Sequence, residues 1–539
     1  MRSQAVDHIA LLPLYAAAGT AVLALLADLL VGRRAVTVWA TVLGALATGA
    51  CALAVGAWDP TFCAAGGCSW VPAWPAAVAT ALFAGLTAGV LGLSEPSLRI
   101  GTAPAGEFCF LLACSMTGGV TVAYAGDLLT LIVGLETLTL PLYVLVGLRR
   151  FAPAEIPTSR PAQSAVTFFL ISVISTAIAL LGIALYHAAT GILHLSLLAA
   201  APAPFAALAG VGTALLVIGL AFKVAAVPLH AWAPATYDGA PIPIAAYLST
   251  ASKLGGVLAL AAVVSRLDAG AVMSALALLT MTVGNLVALR QTRMVRLLAW
   301  SSVAQAGYIL AALAMGAAGV VAALAYAAFF VILELIAFGV VVALRPAQPV
   351  IPAAAPISPA AAGTPISPVA AGTPGAPIAA SIPGAVAGPA AGNTHSAASL
   401  ADVDGGTLDD YRGAARRHPW LGAAFVLAMA GLAGLPPGLA GLFAKVTVVG
   451  ALVNEGWIWL AVVVVVNAVI ALAYYVRVAA LLYTVPSHPG IPVADPGLVY
   501  DATHPRHLVA RPITAALLVA ALVAVILGFA PQLLFNALT

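Results

Sequence analysis

The sequence predicts an all-α membrane protein with about 14 transmembrane helices, and three observations support this fold class. Hydrophobic residues make up 63% of the chain and charged residues only 7%, whereas a soluble globular protein carries about 25% charged residues. The mean hydropathy is +1.10. Apolar stretches of about 20 residues, each long enough to cross a hydrocarbon core of roughly 30 Å, recur along the whole chain. We therefore expect a multi-pass protein that lies in a lipid bilayer and binds no nucleic acid.

The predicted spans follow one another between polar or Gly/Pro-rich segments. No cleavable signal is evident, because Arg2, Asp7 and His8 precede the first apolar run and no small-residue cleavage site follows it. We expect that run to remain as the first span. The predicted spans are 9–31, 35–57, 74–94, 106–124, 127–148, 163–186, 205–236, 241–264, 270–289, 294–315, 319–344, 419–452, 457–484 and 512–531.

Basic residues fall in alternate loops, which assigns those loops to the cytoplasm. The loops near residues 58–72, 124–127, 186–204, 265–269, 316–318 and 454–456 hold a single basic residue, Arg266. We expect these loops, and both termini, on the outer face of a bacterial plasma membrane. The basic loops contain Arg33, Arg34, Arg99, Arg149, Arg150, Arg160, Arg290, Arg293, Arg296, Arg345, Arg412, Arg416, Arg417, Arg506 and Arg511.

Five cysteines are present, and their spacing indicates neither a metal site nor an iron–sulfur cluster. Cys63 and Cys68 lie in the first predicted outer loop, where a disulfide between them is an open possibility in an oxidising compartment. Cys51, Cys109 and Cys114 lie in apolar runs and are expected to behave as small hydrophobic residues.

Residues 346–400 form an insert rich in Pro, Ala, Gly and Ser, in which the sequence Pro-Ile-Ser-Pro occurs at 356–359 and again at 365–368. We predict a disordered cytoplasmic linker, because such a composition cannot build a core. A transmembrane pair is the disfavoured alternative, since each proline removes a backbone donor that lipid cannot replace.

The chain contains only three lysines, Lys223, Lys253 and Lys445, and all three lie inside predicted spans. A lysine at the bilayer centre costs about 2.5–3.5 kcal/mol on insertion scales, so it normally faces a protein interior or a hydrated cavity. Burial favours the neutral form of an amine, which allows a proton to be exchanged when a nearby carboxylate changes state. These residues are therefore candidates for a proton relay. A structural ion pair or a side chain that reaches the interface is the alternative.

The candidate acid is Glu136, in the middle of an apolar span, with a permanently protonated buried acid as the alternative. Glu334 is a second intramembrane acid, for which relay and structural roles are equally open. His230 lies seven residues after Lys223, two turns along one helix face, and can pass protons near neutral pH. It could instead cap a helix break.

Prolines accompany the charged residues of the two longest spans, 205–236 and 419–452. Pro228 follows Lys223, and the pair Pro436-Pro437 precedes Lys445. Discontinuous helices in two halves of a transporter indicate an ion site, whereas ordinary proline kinks are the simpler explanation. The chain also lacks a nucleotide-binding glycine motif and a Cys-x-x-Cys motif. We therefore expect no cofactor on this chain, and any redox energy must come from partner subunits.

Taken together, these residues resemble the subunit N family of proton-translocating NADH-quinone oxidoreductase, respiratory complex I, a family of antiporter-like membrane subunits. The resemblance covers most of the chain. The segments that carry it are 106–108 (GEF), 127–150 (DLLTLIVGLETLTLPLYVLVGLRR), 219–243 (GLAFKVAAVPLHAWAPATYDGAPIP), 249–253 (STASK), 280–308 (TMTVGNLVALRQTRMVRLLAWSSVAQAGY), 411–420 (YRGAARRHPW), 433–445 (AGLPPGLAGLFAK) and 467–478 (NAVIALAYYVRV).

The resemblance implies a fourteen-helix fold with two inverted five-helix repeats, each containing a broken helix. It also implies that Glu136 pairs with Lys223, that Lys253 is a central connecting lysine and that Lys445 lies on the output side. NADH, FMN, iron–sulfur clusters and quinone are expected on partner subunits. The implied segments are helices 1–3 at 1–105, a first repeat at 106–264, the start of a second at 265–345, the linker at 346–418, the rest of the second repeat at 419–484, and a cytoplasmic loop with the last helix at 485–539.

Three positions depart from the family pattern. Thr167 stands where a lysine is usual, Gln305 where histidine is frequent and Glu334 where asparagine is frequent. The sequence predicts a membrane-arm subunit whose relay runs through Glu136, Lys223, His230, Lys253 and Lys445. The partners expected are other membrane and peripheral subunits, especially sibling antiporter-like subunits. The alternatives are a subunit of a multisubunit cation/proton antiporter and a scaffold paralogue that does not transport.

Overall fold

A computed structural model describes residues 6–64, 66–100, 103–148, 159–200, 205–344, 405–484 and 509–538 of the chain. Within these ranges the secondary structure is almost entirely helical, which confirms the predicted all-α fold. Most of the predicted linker, including the whole of 346–400, lies outside the described residues.

The first half of the chain forms long, nearly uninterrupted helices. Helices α3 and α6 extend several residues beyond the predicted spans 74–94 and 163–186. The helices are α1 (Leu12–Val31), α2 (Arg34–Val55), α3 (Trp74–Ile100), α4 (Ala105–Tyr124), α5 (Leu128–Gly147), α6 (Ser159–Thr190) and α7 (Ala206–Ala221), with a 3₁₀ helix at Leu195–Ala200.

The second half contains shorter segments and two breaks. After a 3₁₀ turn at Phe222–Val224, the helices are α8 (Trp232–Gly239), α9 (Ile242–Tyr247), a π-helical turn at Leu248–Ser252, α10 (Lys253–Val264), α11 (Gly270–Ala288), α12 (Met294–Leu313), a 3₁₀ turn at Gly316–Gly319, α13 (Val320–Ala343), a 3₁₀ turn at Asp409–Tyr411, α14 (Ala414–Arg417), α15 (Pro419–Ala433), α16 (Leu439–Asn454), α17 (Ile458–Leu481), α18 (Arg511–Phe529) and α19 (Gln532–Leu538).

In the part of the chain that the structure describes, twelve helical segments are long and apolar enough to cross a membrane. The more polar α12 has 20 residues, and α15 and α16 are shorter apolar helices on either side of a break. The multi-pass prediction is therefore confirmed. The count of fourteen spans and the two inverted repeats remain predictions.

Helices α10 and α13 form the interior of the bundle. They are buried along most of their length, whereas α1, α2, α6 and α18 leave many large apolar side chains exposed on their outer faces. Helix α13 packs against α10, α12, α15, α16 and α18. Ionisable residues on α10 and α13 are consequently shielded from lipid by surrounding protein.

The predicted linker is shorter at its C-terminal end than expected, since residues from Gly405 onward pack against the start of α12. The backbone N–H of Leu408 donates to the carbonyl of Thr292 at 2.8 Å, and the N–H of Met294 donates to the carbonyl of Gly406 at 3.3 Å. Leu408 and Tyr411 are buried. These two side chains fix this segment to the bundle. The proline-rich composition of the insert does not reveal them.

The loop between α2 and α3 contains a β-hairpin that the sequence did not predict. Strands β1 (Thr61–Ala64) and β2 (Gly67–Trp70) are antiparallel, with Cys63 opposite Cys68. The two cysteines are joined by a disulfide. The Trp70 indole donates to the carbonyl of Ala10 at 2.8 Å and stacks on the ring of Tyr124. The hairpin therefore covers the ends of α1 and α4.

In native membranes we expect Cys63 and Cys68 to react with a maleimide only after reduction, because the disulfide removes both thiols. Mass spectrometry of differentially alkylated peptides measures this directly. The Cys63→Ser variant is the control, since it leaves Cys68 free to react without a reductant. Full labelling of both cysteines before reduction would contradict the disulfide.

Candidate functional site

The break after α7 places Lys223 inside the bundle. Helix α7 ends at Ala221, and Lys223 lies in the following 3₁₀ turn. The turn ends at Ala225, whose φ of +59° is rare for a residue other than glycine. The chain becomes helical again only at Trp232. The break that the prolines predicted is therefore confirmed, with the lysine at its edge.

The three donor hydrogens of the Lys223 ammonium group have three partners. Its Nζ lies 2.8 Å from Glu136 Oε1, 3.0 Å from Thr139 Oγ1 and 3.2 Å from Ser172 Oγ. The Tyr143 hydroxyl donates to Ser172 at 2.5 Å. Glu136 and Lys223 thus form the ion pair that the family resemblance implied. We call Glu136, Thr139, Ser172 and Lys223 the Lys223 cluster.

The two partners of this ion pair differ in exposure. The Lys223 side chain is 5% exposed and the Glu136 side chain is 23% exposed. Thr176 on α6 also donates to Glu136 Oε1, at 2.7 Å. The Glu136 carboxylate therefore lies near the surface of the helix bundle, while the Lys223 amine lies inside it. The pair connects an outer face of the bundle with the first break.

Lys253 begins α10, directly after the π-helical turn at Leu248–Ser252. Such turns often occur at functional sites. Its Nζ donates to Ser302 Oγ at 2.6 Å, and Ser302 lies 3.2 Å from Ser249 Oγ. Ser249 in turn donates to Glu334 Oε1 at 2.8 Å. These four buried residues form the Lys253 cluster, which joins an amine to a carboxylate through two hydroxyls.

Lys445 lies on α16, just after the second break. Its Nζ donates to the carbonyls of Leu432 at 2.9 Å and Ala433 at 2.7 Å. It also lies 5.2 Å from the centre of the Tyr308 ring, within reach of a cation–π interaction. The two carbonyls belong to the C-terminal end of α15, where the helix dipole favours a cation. Within the described residues, no carboxylate lies within ion-pair distance of Lys445.

Gln305 links the second break to neighbouring polar groups. Its Nε2 donates to the Leu432 carbonyl at 2.9 Å and to the Tyr475 hydroxyl at 2.7 Å. Its Oε1 accepts from Tyr326 at 2.5 Å. Tyr475 also lies 2.6 Å from Ser301 Oγ. Lys445 and Gln305 therefore share one backbone carbonyl. Gln305 connects these polar groups through its amide, which does not itself titrate.

His230 is not placed as predicted. The expectation put it two turns after Lys223 on one helix face, but residues 225–231 are not helical. Its Nδ1 lies 3.2 Å from the Pro228 carbonyl, and its ring centre lies 5.2 Å from that of Trp300. The helical-face argument is therefore wrong for this residue. A position at the break agrees with the capping alternative, and a relay role for His230 remains a prediction.

The structure places Glu136 and Lys223 in one cluster, Lys253 and Glu334 in a second, and Lys445 at the second break, whereas His230 belongs to neither cluster. Among the described residues, no hydrogen bond joins the Lys223 cluster to the Lys253 cluster. A narrow cavity beside Lys253 is lined by Val224, Leu254, Val257 and other apolar residues. Nor do the described residues include a group of three or more His, Cys, Asp or Glu side chains that could hold a metal ion.

Sequence reasoning did not identify the hydroxyl residues that connect the charges. The strongest signal for one of them is the spacing of Ser249 and Lys253, which are four residues apart in a segment that carries the family resemblance. Ser302 and Tyr475 also lie in such segments, but no helical spacing relates them to Lys253 or Gln305, and Ser172 lies outside the segments. Only the folded arrangement shows their contacts with Lys223, Lys253 and Gln305.

Comparisons with known proteins match a family model over more than half of the chain and individual relatives over nearly all of it. The family model described as NADH:quinone oxidoreductase/Mrp antiporter, TM, matches residues 125–349 and 394–471. The chain is 52% identical to NADH-quinone oxidoreductase subunit N of Salinispora tropica, over 99% of this chain and 98% of that protein. It is 35% identical to NADH-quinone oxidoreductase subunit N 2 of Streptomyces griseus, over 98% and 92% of the two chains.

Solved structures show the same fold. A chain of respiratory complex I from Thermus thermophilus has a TM-score of 0.70 and 26% identity, and the match covers 98% of this chain and 99% of that one. A chain of the Mrp complex from Dietzia sp. DQ12-45-1b has a TM-score of 0.75 and 20% identity, over 98% and 96% of the two chains. The second match, at its lower identity, is evidence for the fold alone.

Proposed function

The chain belongs to the NADH:quinone oxidoreductase/Mrp antiporter membrane family, and we propose that it is subunit N of an NADH-quinone oxidoreductase. In this role it translocates protons across the bacterial plasma membrane, with both termini on the outer face. Electrons pass from NADH to quinone in other subunits, which hold FMN and iron–sulfur clusters. Its partners are peripheral subunits and the other membrane subunits, especially the sibling antiporter-like subunits.

The Glu136–Lys223 ion pair is the observation that carries this proposal. A buried lysine beside a carboxylate is held in its charged form, and separation of the two makes that charge costly. A change of charge at Glu136 therefore controls whether Lys223 keeps its proton. The Glu136 side chain is partly exposed at the surface of the helix bundle, so a neighbouring subunit can change its charge.

The proposed path continues from Lys223 through Lys253 to Lys445, with His230 and Glu334 as further relay candidates. Since the cavity beside Lys253 is narrow and apolar, transfer from Lys223 to Lys253 requires water to enter or side chains to move. From Lys253, polar side chains on α12 lead towards the second break. The segments 106–264, and 265–345 with 419–484, are the two proposed repeats, each containing one break.

Purification of the native assembly through a tag on this chain tests the proposal. We expect subunits that carry flavin and iron–sulfur clusters to co-purify, and NADH oxidation by reconstituted vesicles to drive proton movement. Recovery of small antiporter subunits alone, with cation/proton exchange that needs no NADH, would instead support the Mrp-type alternative that the family description includes.

A further inference from the structure

We propose that Ser302 and Ser249 form a directed hydroxyl relay that passes a proton from Lys253 to Glu334, so that Glu334 serves as the acid partner of Lys253. This inference rests on the proposed function and adds to it two proton-carrying residues and a destination. It is carried by three consecutive contacts: Lys253 to Ser302 at 2.6 Å, Ser302 to Ser249 at 3.2 Å and Ser249 to Glu334 at 2.8 Å.

The contacts allow only one direction for the donated hydrogens when Lys253 is charged and Glu334 is ionised. An ammonium group donates and cannot accept, so Ser302 Oγ is the acceptor of the first bond. Ser249 uses its single hydroxyl hydrogen on Glu334 Oε1. The bond between the two serines must then be donated by Ser302. All three hydrogens therefore point from the amine towards the carboxylate.

The relay is enclosed by protein. Three members of the relay, Ser249, Ser302 and Glu334, have no exposed surface. Lys253 and the adjacent residues of α10 are also buried. Helices α9, α10, α12 and α13 surround it, and α13 packs closely on α10 and on the π-helical turn that carries Ser249. A proton on this chain of atoms is therefore separated from lipid and from bulk water.

Glu334 has an oxygen available for the arriving proton. Its Oε1 accepts the bond from Ser249, whereas its Oε2 is buried and accepts no hydrogen bond from any described residue. The proton can reach Oε1 along the relay and move to Oε2 by rotation of the carboxyl group. The Ser249 contact is restored once both serine hydroxyls have rotated back, and the relay can act again after Glu334 has lost the proton.

The transfer balances without any other reactant. An N–H bond of Lys253 breaks as an O–H bond forms on Ser302, whose original hydrogen moves to Ser249. The original hydrogen of Ser249 then forms the new O–H bond of Glu334. Because the three shifts are concerted, neither serine carries a charge. A charged amine and a carboxylate become a neutral amine and a neutral carboxylic acid.

Single-atom deletions in the intact assembly test the relay. We expect Ser302→Ala and Ser249→Ala each to slow NADH-driven proton pumping about a hundredfold, the lower end of what positioned proton transfer contributes. Ser302→Thr keeps a hydroxyl and is expected to retain pumping. The matched control is Thr250→Val, because the buried Thr250 hydroxyl donates only to the Ala246 carbonyl of its own helix.

Infrared difference spectroscopy supplies a second measurement, which does not depend on whether the serine variants fold. During turnover, the unmodified assembly should show a carboxylic C=O band that disappears in Glu334→Gln. A Glu334 band that does not change during turnover would overturn the relay. So would normal pumping by Ser302→Ala in a preparation where Lys223→Met stops pumping, and in that case the proposed function stands. If the unmodified assembly oxidises NADH without moving protons, both are wrong.

Discussion

Replacement of Lys223 by arginine is expected to stop proton pumping although the assembly forms normally. The guanidinium group can keep the ion pair with Glu136 and the contacts with Thr139 and Ser172. It cannot be deprotonated in a protein, so it cannot release a proton. We expect NADH-driven proton movement in reconstituted vesicles to fall about a hundredfold. A structural role for the charge predicts no such loss.

Lys223→Met completes this experiment because it removes the charge as well as the exchangeable proton. It should also stop pumping, and it should lower stability, since Glu136 loses its partner. The double variant Glu136→Gln/Lys223→Met should recover stability without recovering pumping. Thr137→Val is the matched control, because the half-buried Thr137 hydroxyl donates to the Val133 carbonyl of its own helix. Unchanged pumping by Lys223→Met in a normal assembly would identify the chain as a scaffold.

The three lysines are held by three different kinds of acceptor. Lys223 has a carboxylate, Lys253 has a serine hydroxyl and Lys445 has two backbone carbonyls. A carboxylate can change its charge, whereas a helix end cannot. Control of protonation should therefore enter at Glu136. The carbonyls at Lys445 provide a fixed electrostatic environment, which suits the place that we propose for this lysine at the end of the path.

The residues with a high insertion cost could be predicted from the sequence. Lysine and glutamate are rare in membrane spans, so Lys223, Lys445 and Glu136 stand out among their apolar neighbours in the chain. Prolines likewise indicate both breaks. The residues that connect the charges could not be predicted, because the cost of a serine in a span is small and its partner is set by helix packing. Ser302 is 49 residues from Lys253 in the chain.

The error at His230 has the same origin. Counting seven residues from Lys223 assumes a continuous helix, although Pro228 lies between the two residues. The break that the proline predicts also invalidates the helical spacing across it. In contrast, the spacing of Ser249 and Lys253 is informative, since the π-helical turn between them continues into α10 without a gap.

Substitution of Gly441 by alanine is expected to destabilise the packing at the second break. The effect should be larger than that of alanine at any other glycine there. An alanine Cβ at this position would lie 1.7 Å from the carbonyl oxygen of Gly431, a backbone atom that has no rotamer to change. The ends of α15 and α16 therefore cross at direct backbone contact, which small residues permit. We expect the free energy of unfolding to fall by about 3 kcal/mol, the upper end of the usual cost of overpacking.

The loss should extend to proton pumping, because the displaced end of α15 carries the Leu432 and Ala433 carbonyls that hold Lys445. Retention of the assembled subunit after heating in detergent measures the stability, and reconstituted vesicles measure the pumping. Gly450→Ala is the matched control on the same helix, since its Cβ would meet no atom within 4 Å. Equal stability of the two variants would show that α15 and α16 do not cross at this contact.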